Sequence, residues 1–230
     1  MNPIIPNVYR LPGLTVGNVY CIIDPDGITL IDSSITPSGP KILRHIKALG
    51  YPLSAVKRIL ITHAHPDHVG SLPLLKRETG AEVIASALER PVIEGRIPIP
   101  TLPPDKRKGL ARIIVLPTTT LPPTPVDRVV ADGDILEVLG GLRVVATPGH
   151  APGHLAFWQP ERRIMFCGDV IFRLPNIRLP FSFLTVDMDE NKRSIRRIAD
   201  LNAAIMCFGH GPPLHNAATR IQEFACKVGV

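Results

Sequence analysis

The sequence predicts an α/β protein, an αββα four-layer sandwich in which two mixed β-sheets pack face to face and helices cover their outer surfaces. Three observations predict this class. Apolar strand segments are followed by amphipathic helices in residues 1–95, and the same order returns in residues 126–230. Between these halves lies a proline-rich stretch, 96–125, which is longer than an ordinary connection. We therefore predict one domain, 1–230, made of two related halves joined by this loop.

The composition is typical of a globular protein. Of the 230 residues, 45% are hydrophobic and 20% are charged, which excludes a disordered chain. No apolar run approaches the roughly 18 residues of a transmembrane helix, and the N-terminus lacks the basic and apolar segments of a signal peptide. We expect a cytoplasmic protein without membrane association, either a monomer or a homodimer.

Charge and cysteine content narrow the class of partner. The net charge is +6, but the basic residues are scattered, so we expect no binding to nucleic acid and a small-molecule substrate instead. Four cysteines are present, and none forms a CxxC pair. They are predicted to be buried free thiols rather than disulfides or a zinc knuckle; they are Cys21, Cys167, Cys207 and Cys226.

Hydrophobic periodicity gives the elements of each half in order. The first half begins with a hairpin around Pro25 and Asp26, and a helix, a strand and further short elements follow. The predicted segments are strands 19–24 and 27–32, helix 39–49, strand 56–62, a short helix, strand 82–85 and a helix to about residue 94. The second half contains strands 128–131, 135–138, 142–146, 155–159 and 163–167, helix 190–201, strand 204–208 and helix 216–227. One further helix is predicted at about 105–114.

The strongest functional signal is His63-x-His65-x-Asp67-His68, directly after the strand 56–62. While the chain remains extended, residues two apart point to the same side, so His63 and His65 are able to share one metal ion. A turn after Pro66 would direct Asp67 and His68 to a neighbouring position. Imidazoles with a carboxylate suit Zn²⁺, although Fe or Mn is also compatible with this set.

Three further candidate ligands follow strands elsewhere in the chain. His150 ends Thr-Pro-Gly-His, Asp169 ends Cys-Gly-Asp, and His210 lies between two glycines. Each has a glycine neighbour that allows the backbone to turn tightly beside an ion. Together with the first cluster they complete a ligand set for two ions.

These four motifs, THAHPDH, TPGH, GD and GHG in this order, resemble those of the metallo-β-lactamase superfamily of αββα metallohydrolases. The resemblance covers nearly the whole chain. It implies two ions with seven ligands: His63, His65 and His150 for the first, Asp67, His68 and His210 for the second, and Asp169 bridging both. Asp32 resembles a family carboxylate that supports the metal loop from behind the ligands, although a turn residue before a helix is an equal alternative.

The resemblance also implies a reaction. Two Zn²⁺ ions per chain with a bridging hydroxide would hydrolyse an ester-like bond in a thioester, lactone or related acyl substrate. Asp67 would be the catalytic residue that orients the attacking water and relays its proton.

Differences between this chain and several branches of the superfamily narrow the range of expected substrates. β-Lactamases lack a bridging aspartate, di-iron flavoproteins carry glutamate where this chain has His65, and RNA-processing branches carry extra segments that 230 residues do not accommodate. One type of lactonase has a phenol where this chain has Phe172. Glyoxalase II enzymes carry an additional helical domain and a thiol-recognition segment that this chain lacks. We therefore expect a compact, glyoxalase II-like hydrolase.

Two alternatives to this hydrolase remain. The first is a mononuclear iron persulfide dioxygenase on the same fold, with His63, His65 or a neighbour, His150 and Asp169 around one Fe(II). The second, less favoured, is a phosphodiesterase, a nuclease or a β-lactamase.

Residues near the ligands in the sequence are candidates for substrate contacts. Phe172, Arg173 and His215 are predicted to bind substrate, with Arg178 as a further cation. The apolar segment 97–104 is predicted to form one wall of the pocket. His45 and His154 are interpreted as histidines that bind no metal.

Overall fold

Two six-stranded β-sheets stacked against each other form the centre of the computed structural model, which describes residues 1–102 and 120–230. The first sheet contains β1 (Val8–Arg10), β2 (Tyr20–Asp24), β3 (Gly27–Ile31), β4 (Val56–Leu60), β5 (Glu82–Ser86) and β6 (Arg128–Val130), in this order. The second contains β7 (Ile135–Leu136), β8 (Leu142–Ala146), β9 (Leu155–Gln159), β10 (Ile164–Gly168), β13 (Ile205–Phe208) and β14 (Leu214–His215). A separate hairpin pairs β11 (Phe172–Arg173) with β12 (Ile177–Arg178).

Both sheets are mixed. In the first, β1, β2 and β3 are antiparallel, whereas β3 to β6 are parallel. In the second, only β10 and β13 are parallel neighbours, with β13 reached through a helix. The parallel strands direct their carboxyl ends to one edge of each sheet, where ligands commonly bind in α/β proteins.

Six α-helices lie in the described part of the chain. They are α1 (Gly39–Ala48), α2 (Pro66–Val69), α3 (Leu72–Thr79), α4 (Arg90–Ile93), α5 (Met188–Asp200) and α6 (Ala217–Lys227). Asp187 caps α5 by accepting a hydrogen bond from the Glu190 N–H at 2.9 Å. Among the described residues, no helix has both the length and the apolar character needed to cross a membrane.

Three apolar layers confirm the αββα fold. The layer between the sheets includes Leu60 and Ile84 from the first sheet and Phe157 and Phe166 from the second. Ile42 and other residues of the outer helices cover the far face of the first sheet, and residues of α5 and α6 cover the far face of the second.

Strand β9 shows how the sequence specifies these layers. All five of its residues are buried, and the first four form a continuous apolar run. Leu155 and Phe157 face the layer between the sheets, whereas Ala156 and Trp158 face α5 and α6. Because side chains alternate between the two faces of a strand, alternate residues of β9 pack into two different apolar layers.

The predicted long elements are present, with ends that match the structure or differ from it by one or two residues. The structure adds β1, β11, β12 and β14, which have only two or three residues each and produce too little periodicity for prediction. The helix predicted at 105–114 lies outside the described residues. Cys21, Cys167 and Cys207 are buried free thiols as predicted, but Cys226 is exposed: it lies on α6, whose inward face is formed by Ile221, Phe224 and Ala225.

Candidate metal centre

The predicted ligands come from four loops, each of which follows a strand end. His63 to His68 follow β4, His150 follows β8, Asp169 follows β10, and His210 follows β13. The loops therefore meet at one edge of the stacked sheets, with both sheets contributing.

The loop after β4 has the backbone that its spacing predicts. His65 is extended, with φ −86° and ψ 152°, and α2 begins at Pro66 in the first helical position. A proline is favoured there because its missing N–H would have no partner within the helix. The extended part presents His63 and His65, and the first helical turn presents Asp67 and His68 at a second position.

The first group of side chains is the three-histidine group, formed by His63, His65 and His150. The His65 Nδ1 lies 3.1 Å from the His63 Nε2 and 3.0 Å from the His150 Nε2. His63 and His150 are fully buried, with 0% and 1% of their surface exposed. Three nitrogen atoms thus converge on one small volume, which fits a single ion.

The second group is the mixed group, formed by Asp67, His68 and His210. The His210 Nε2 lies 3.1 Å from the Asp67 Oδ2, and the His68 Nε2 lies 3.9 Å from the same oxygen. Two imidazoles and a carboxylate again point at a shared position.

The Asp169 carboxylate lies between the two groups. Its Oδ2 is 3.4 Å from the His150 Nε2 and 3.2 Å from the His210 Nε2, so one oxygen faces both groups. Its Oδ1 lies 3.4 Å from the His68 Nε2. This is the position that a carboxylate shared by two ions would require.

Oxygen atoms behind the histidines orient three of the rings. The Nδ1 of His68 donates to the Asp32 Oδ2 at 2.8 Å, and the Nδ1 atoms of His63 and His150 lie 3.0 and 3.2 Å from the hydroxyls of Thr62 and Thr185. Each ring therefore turns its Nε2 towards the centre, as ligating histidines generally do. Asp32 also accepts the Thr62 N–H at 2.8 Å, so it contacts the metal loop directly.

Two unsatisfied atoms test whether a metal fits here. Among the described residues, four buried side-chain atoms make no hydrogen bond, and two of them are the His68 Nε2 and the Asp169 Oδ1, which lie 3.4 Å apart. Buried polar atoms are ordinarily paired, and these two are a nitrogen and an oxygen that both point into the centre. Metal ions accept both atom types as ligands, so the residues present fit a metal site.

Charge divides the imidazoles into two classes. Burial lowers the pKa of His63 and His150 well below the ordinary value and lowers the pKa of His65 to about 4. Burial acts the same way on His68 and His210, but the surrounding carboxylates outweigh it, raising the pKa of His68 well above its ordinary value and that of His210 to about 9. Without an ion, protons in the mixed group therefore balance the carboxylates.

The close approach of the loops requires glycine after β13. A Cβ atom at Gly209 would lie 2.0 Å from the Asp169 Oδ1 and 2.9 Å from the His68 Cε1. No side chain is compatible with such distances, so the glycine before His210 brings the β13 loop against the centre.

His154 is placed behind the centre rather than in a ligand group. Its Nε2 accepts the Asp169 N–H at 3.0 Å, and its Nδ1 lies 2.8 Å from the Thr147 hydroxyl. Burial lowers its pKa to about 3. A neutral ring donating to Thr147 and accepting from Asp169 satisfies both nitrogens, so His154 orients the backbone of Asp169. His45, on α1, instead contacts the Pro12 carbonyl.

The predicted substrate residues have three different surroundings. The buried Phe172 ring lies 4.7 Å from the His210 ring and 6.2 Å from the His150 ring, between centroids, so it forms a wall of the centre. The Arg173 Nη1 donates to the Pro212 and Pro213 carbonyls and thus holds the loop beyond His210. His215 pairs with Ile205 at the start of β13, at the opposite end of that strand from His210.

Two other predicted contacts lie outside the ligand groups. Arg178 stacks on the Phe181 ring at 4.9 Å. Of the predicted pocket wall, Ile99 packs against the core between the first sheet and its outer helices, and residues 103–104 lie outside the described residues.

One buried acid near the centre was not predicted from the sequence. Glu89 is 2% exposed, and its carboxylate accepts hydrogen bonds from the backbone of the β4 and β8 loops. Its partners are 25 and 64 residues away along the chain, so no local pattern distinguishes it from an ordinary acid at a helix start.

Comparisons with known proteins agree with this architecture. The family model described as the metallo-beta-lactamase superfamily matches residues 12–210. The probable metallo-hydrolase YflN of Bacillus subtilis (strain 168) is 25% identical over 221 residues, covering 88% of this chain and 84% of that protein. A hydroxyacylglutathione hydrolase of Methylococcus capsulatus is 28% identical over 204 residues, covering 87% of this chain but 64% of that protein.

A solved structure gives the same fold. A metallo-beta-lactamase family protein from Thermus thermophilus superposes with a TM-score of 0.73 at 26% identity, covering 97% of this chain and 80% of that one. The subclass B3 metallo-beta-lactamase BJP-1 of Bradyrhizobium japonicum superposes with a TM-score of 0.66 at 25% identity, covering 96% and 90%.

Proposed function

Because the chain belongs to the metallo-beta-lactamase superfamily, and its relatives include a probable metallo-hydrolase and a hydroxyacylglutathione hydrolase, we propose that it is a hydrolase of ester-like bonds with two Zn²⁺ ions per chain. The observation that carries this proposal is the position of Asp169. One carboxylate faces the three-histidine group and the mixed group at once. A site for one ion would not need the second group of converging ligand atoms.

The donor atoms support zinc. The three-histidine group supplies nitrogen only, and the mixed group supplies two nitrogens and an oxygen. Imidazole and carboxylate together are typical zinc ligands, although Fe and Mn accept similar sets. We therefore propose zinc as the native ion and the seven predicted residues as its ligands: His63, His65, Asp67, His68, His150, Asp169 and His210.

Two bound divalent ions would supply a polarised substrate oxygen and a water that ionises near neutral pH. The role of the protein is to position and to transfer protons. Asp67 is one-quarter exposed on its side chain, unlike the buried Asp169, so it is the carboxylate that reaches the open side of the centre. Although burial acts to raise its pKa, the charge of His68 and the hydrogen bond from His210 lower that pKa to about 2. Asp67 is therefore ionised at neutral pH and able to orient the attacking water by accepting a hydrogen bond from it. Because a carboxylate of so low a pKa is a weak base, its proposed proton role is to relay the proton onwards rather than to retain it.

Aromatic residues beside the centre favour an acyl substrate. Phe172 contacts the His210 ring, and Phe181 contacts Phe172 with ring centroids 5.8 Å apart. Such a wall suits the apolar part of an acyl group next to the scissile carbonyl. The relatives named hydroxyacylglutathione hydrolase act, by that name, on an acyl group joined to glutathione, which supports thioesters as the first class to examine. Substrate contacts by Arg173 and His215 stay predictions.

The main competing function is the persulfide dioxygenase with one iron ion. It would use the three-histidine group with Asp169, and the mixed group would then have no ion to bind. The His68 Nε2 is buried in the mixed group without a hydrogen bond, 3.4 Å from the Asp169 Oδ1, which argues against that assignment.

A substrate panel on metal-quantified protein tests the proposal. Thioester, lactone, β-lactam and phosphodiester substrates should be offered to wild type, to His65→Ala and to His45→Ala. We expect two zinc ions per chain and turnover of a thioester or lactone by wild type and by His45→Ala, with loss of metal and turnover in His65→Ala. One iron per chain with oxygen uptake on a persulfide would establish the dioxygenase, and two bound ions without hydrolysis of any ester-like substrate would refute the hydrolase.

A further inference from the structure

Glu89 is a buried acid that joins two of the loops around the centre. It lies at the start of α4, three residues after β5, and is 2% exposed. Its Oε2 accepts the Ala64 N–H at 2.8 Å, and its Oε1 accepts the Gly153 N–H at 2.7 Å. Both carboxylate oxygens are thus used, each on a different loop.

These two loops carry the entire three-histidine group. Ala64 lies between His63 and His65, and Gly153 lies three residues after His150 in the turn that connects β8 with β9. One loop belongs to the first sheet and the other to the second. Glu89 therefore joins the two loops whose histidines come from separate halves of the fold.

The contact at Gly153 is unusually close. A Cβ atom there would lie 2.4 Å from the Ser86 Oγ and 2.9 Å from the Glu89 Oε1. The glycine lets the β8 loop approach the segment between β5 and α4 closely enough for a direct backbone-to-carboxylate bond. The Ser86 hydroxyl in turn accepts the Glu89 N–H at 3.2 Å.

No cation balances this buried acid. In the part of the chain that the structure describes, no lysine, arginine or histidine forms an ion pair with Glu89, and burial raises its pKa. Burying a carboxyl group costs free energy, which hydrogen bonds to its oxygens offset. An apolar side chain at this position would leave both backbone N–H groups without an acceptor. Two backbone N–H groups at fixed spacing require an acceptor with two oxygens.

We propose that Glu89 is a positioning residue that sets the affinity of the three-histidine group for its ion. The proposal rests on the function proposed above, since it concerns the same centre. In the described residues, the hydrogen bonds of the Glu89 carboxylate go to backbone N–H groups of the ligand loops. It acts through the backbone of the two ligand loops.

The Glu89→Gln variant separates this role from simple packing. The amide matches the carboxylate in size but has one acceptor oxygen, so its NH₂ group would face either the Ala64 or the Gly153 N–H. Loss of a contact behind metal ligands typically lowers metal affinity 10- to 100-fold. We expect a loss of this size for one of the two zinc equivalents, with the other equivalent unchanged, in a titration against a chromophoric chelator.

Asp127→Asn is the matched control. The Asp127 carboxylate also accepts a backbone N–H, from Val83 at 2.7 Å, and pairs with Lys76, but it lies away from the ligand loops. Thermal unfolding of the metal-free proteins reports any general loss of stability. We expect both variants to lower the unfolding temperature and only Glu89→Gln to weaken zinc binding.

The possible outcomes are distinct. Wild type that takes up no zinc would refute the proposed function itself. If wild type binds zinc, then equal affinity in Glu89→Gln, or an equal loss in Asp127→Asn, would refute the role of Glu89 alone. If Glu89→Gln does not fold, Glu89→Asp decides in the same titration, because its shorter carboxylate does not span both loops and is expected to weaken the same equivalent.

Discussion

At the scale of single residues, the centre combines neutral and charged donors. The three-histidine group is neutral at pH 7 because burial lowers its pKa values. The mixed group and Asp169 bring negative charge, and without an ion the protons on His68 and His210 compensate for it. The three-histidine group therefore offers a cation neutral nitrogen atoms, because burial keeps its rings unprotonated. The mixed group offers it negative charge.

Asp67→Asn tests the proton role of the exposed carboxylate. Asparagine retains an oxygen able to contact an ion but is not a base, and general base catalysis typically contributes 10² to 10⁴ in rate. We expect kcat to fall about 100-fold or more, whereas the thermal unfolding temperature changes little. The measurement is kcat at fixed zinc content, with the exposed Asp189→Asn as control. Unchanged turnover would remove Asp67 from the chemistry.

The sequence predicts residues that the structure brings together at the centre, but not all of the residues that contact them from behind. The predicted ligands stand out because their residue types are rare and their spacing follows the strand geometry. From the sequence, Asp32 fits a turn residue and a support of the metal loop equally well, and the structure brings its carboxylate within 2.8 Å of the His68 Nδ1. Glu89 and Thr185 gave no signal, because their partners lie 25 to 64 residues away and many acids and hydroxyls occupy similar turns.

At the scale of elements, the loops after the strands are more constrained than the strands. The backbone of Gly209 lies so close to Asp169 that a Cβ atom would not fit. The Gly209 carbonyl also accepts a hydrogen bond from the Asn18 N–H at 2.8 Å, which joins this loop to the first half of the chain. A position within a strand accepts side chains of several sizes, whereas position 209 accepts only glycine.

Gly209→Ala should therefore disturb the centre more than the fold. The added methyl group forces Asp169 or His68 away, so we expect loss of at least one zinc equivalent with the protein still folded. Gly50→Ala is the control, because Gly50 has φ +88° with no atoms near its missing side chain and carries only the backbone strain of about 1 kcal/mol. Metal analysis and circular dichroism of both variants measure the difference. Full zinc content in Gly209→Ala would contradict the packing described.

Helices and strands were predicted correctly where the segment is long enough to show a hydrophobic period. Helix α5 has 13 residues and a regular apolar face, and the prediction places it within two residues of its ends. The pairs of residues that form β11 and β12 carry no such pattern, yet they hold Phe172 beside the centre. Short segments of this kind are determined by tertiary contacts rather than by local sequence.

At the scale of the whole molecule, the centre is also a junction between the two sheets. The hydrogen bond that the Glu89 carboxylate accepts from the Gly153 N–H and the contact between Asp169 and His68 cross from one half of the chain to the other. Bound ions would add links at the same junction. The two halves were predicted from their repeated order of elements, but their mutual orientation depends on these long-range contacts and was not accessible from periodicity.

Metal removal should therefore lower the stability of the whole chain. A ligand that binds only the folded state stabilises it by about 4 kcal/mol at a free concentration 1,000 times its Kd. For a chain of this size, this corresponds to roughly 10 °C in Tm. We expect chelation to lower Tm by an amount of this order and added Zn²⁺ to restore it, with no such response in Asp169→Ala. Identical Tm values with and without chelator would show that no ion links the halves.

The most direct test of the central claim is anomalous diffraction from crystals of the zinc-loaded protein, collected at the zinc absorption edge. The account predicts two peaks about 3.5–4 Å apart, one beside His63, His65 and His150, the other beside Asp67, His68 and His210, with Asp169 between them. A single peak, or peaks away from these residues, would contradict it.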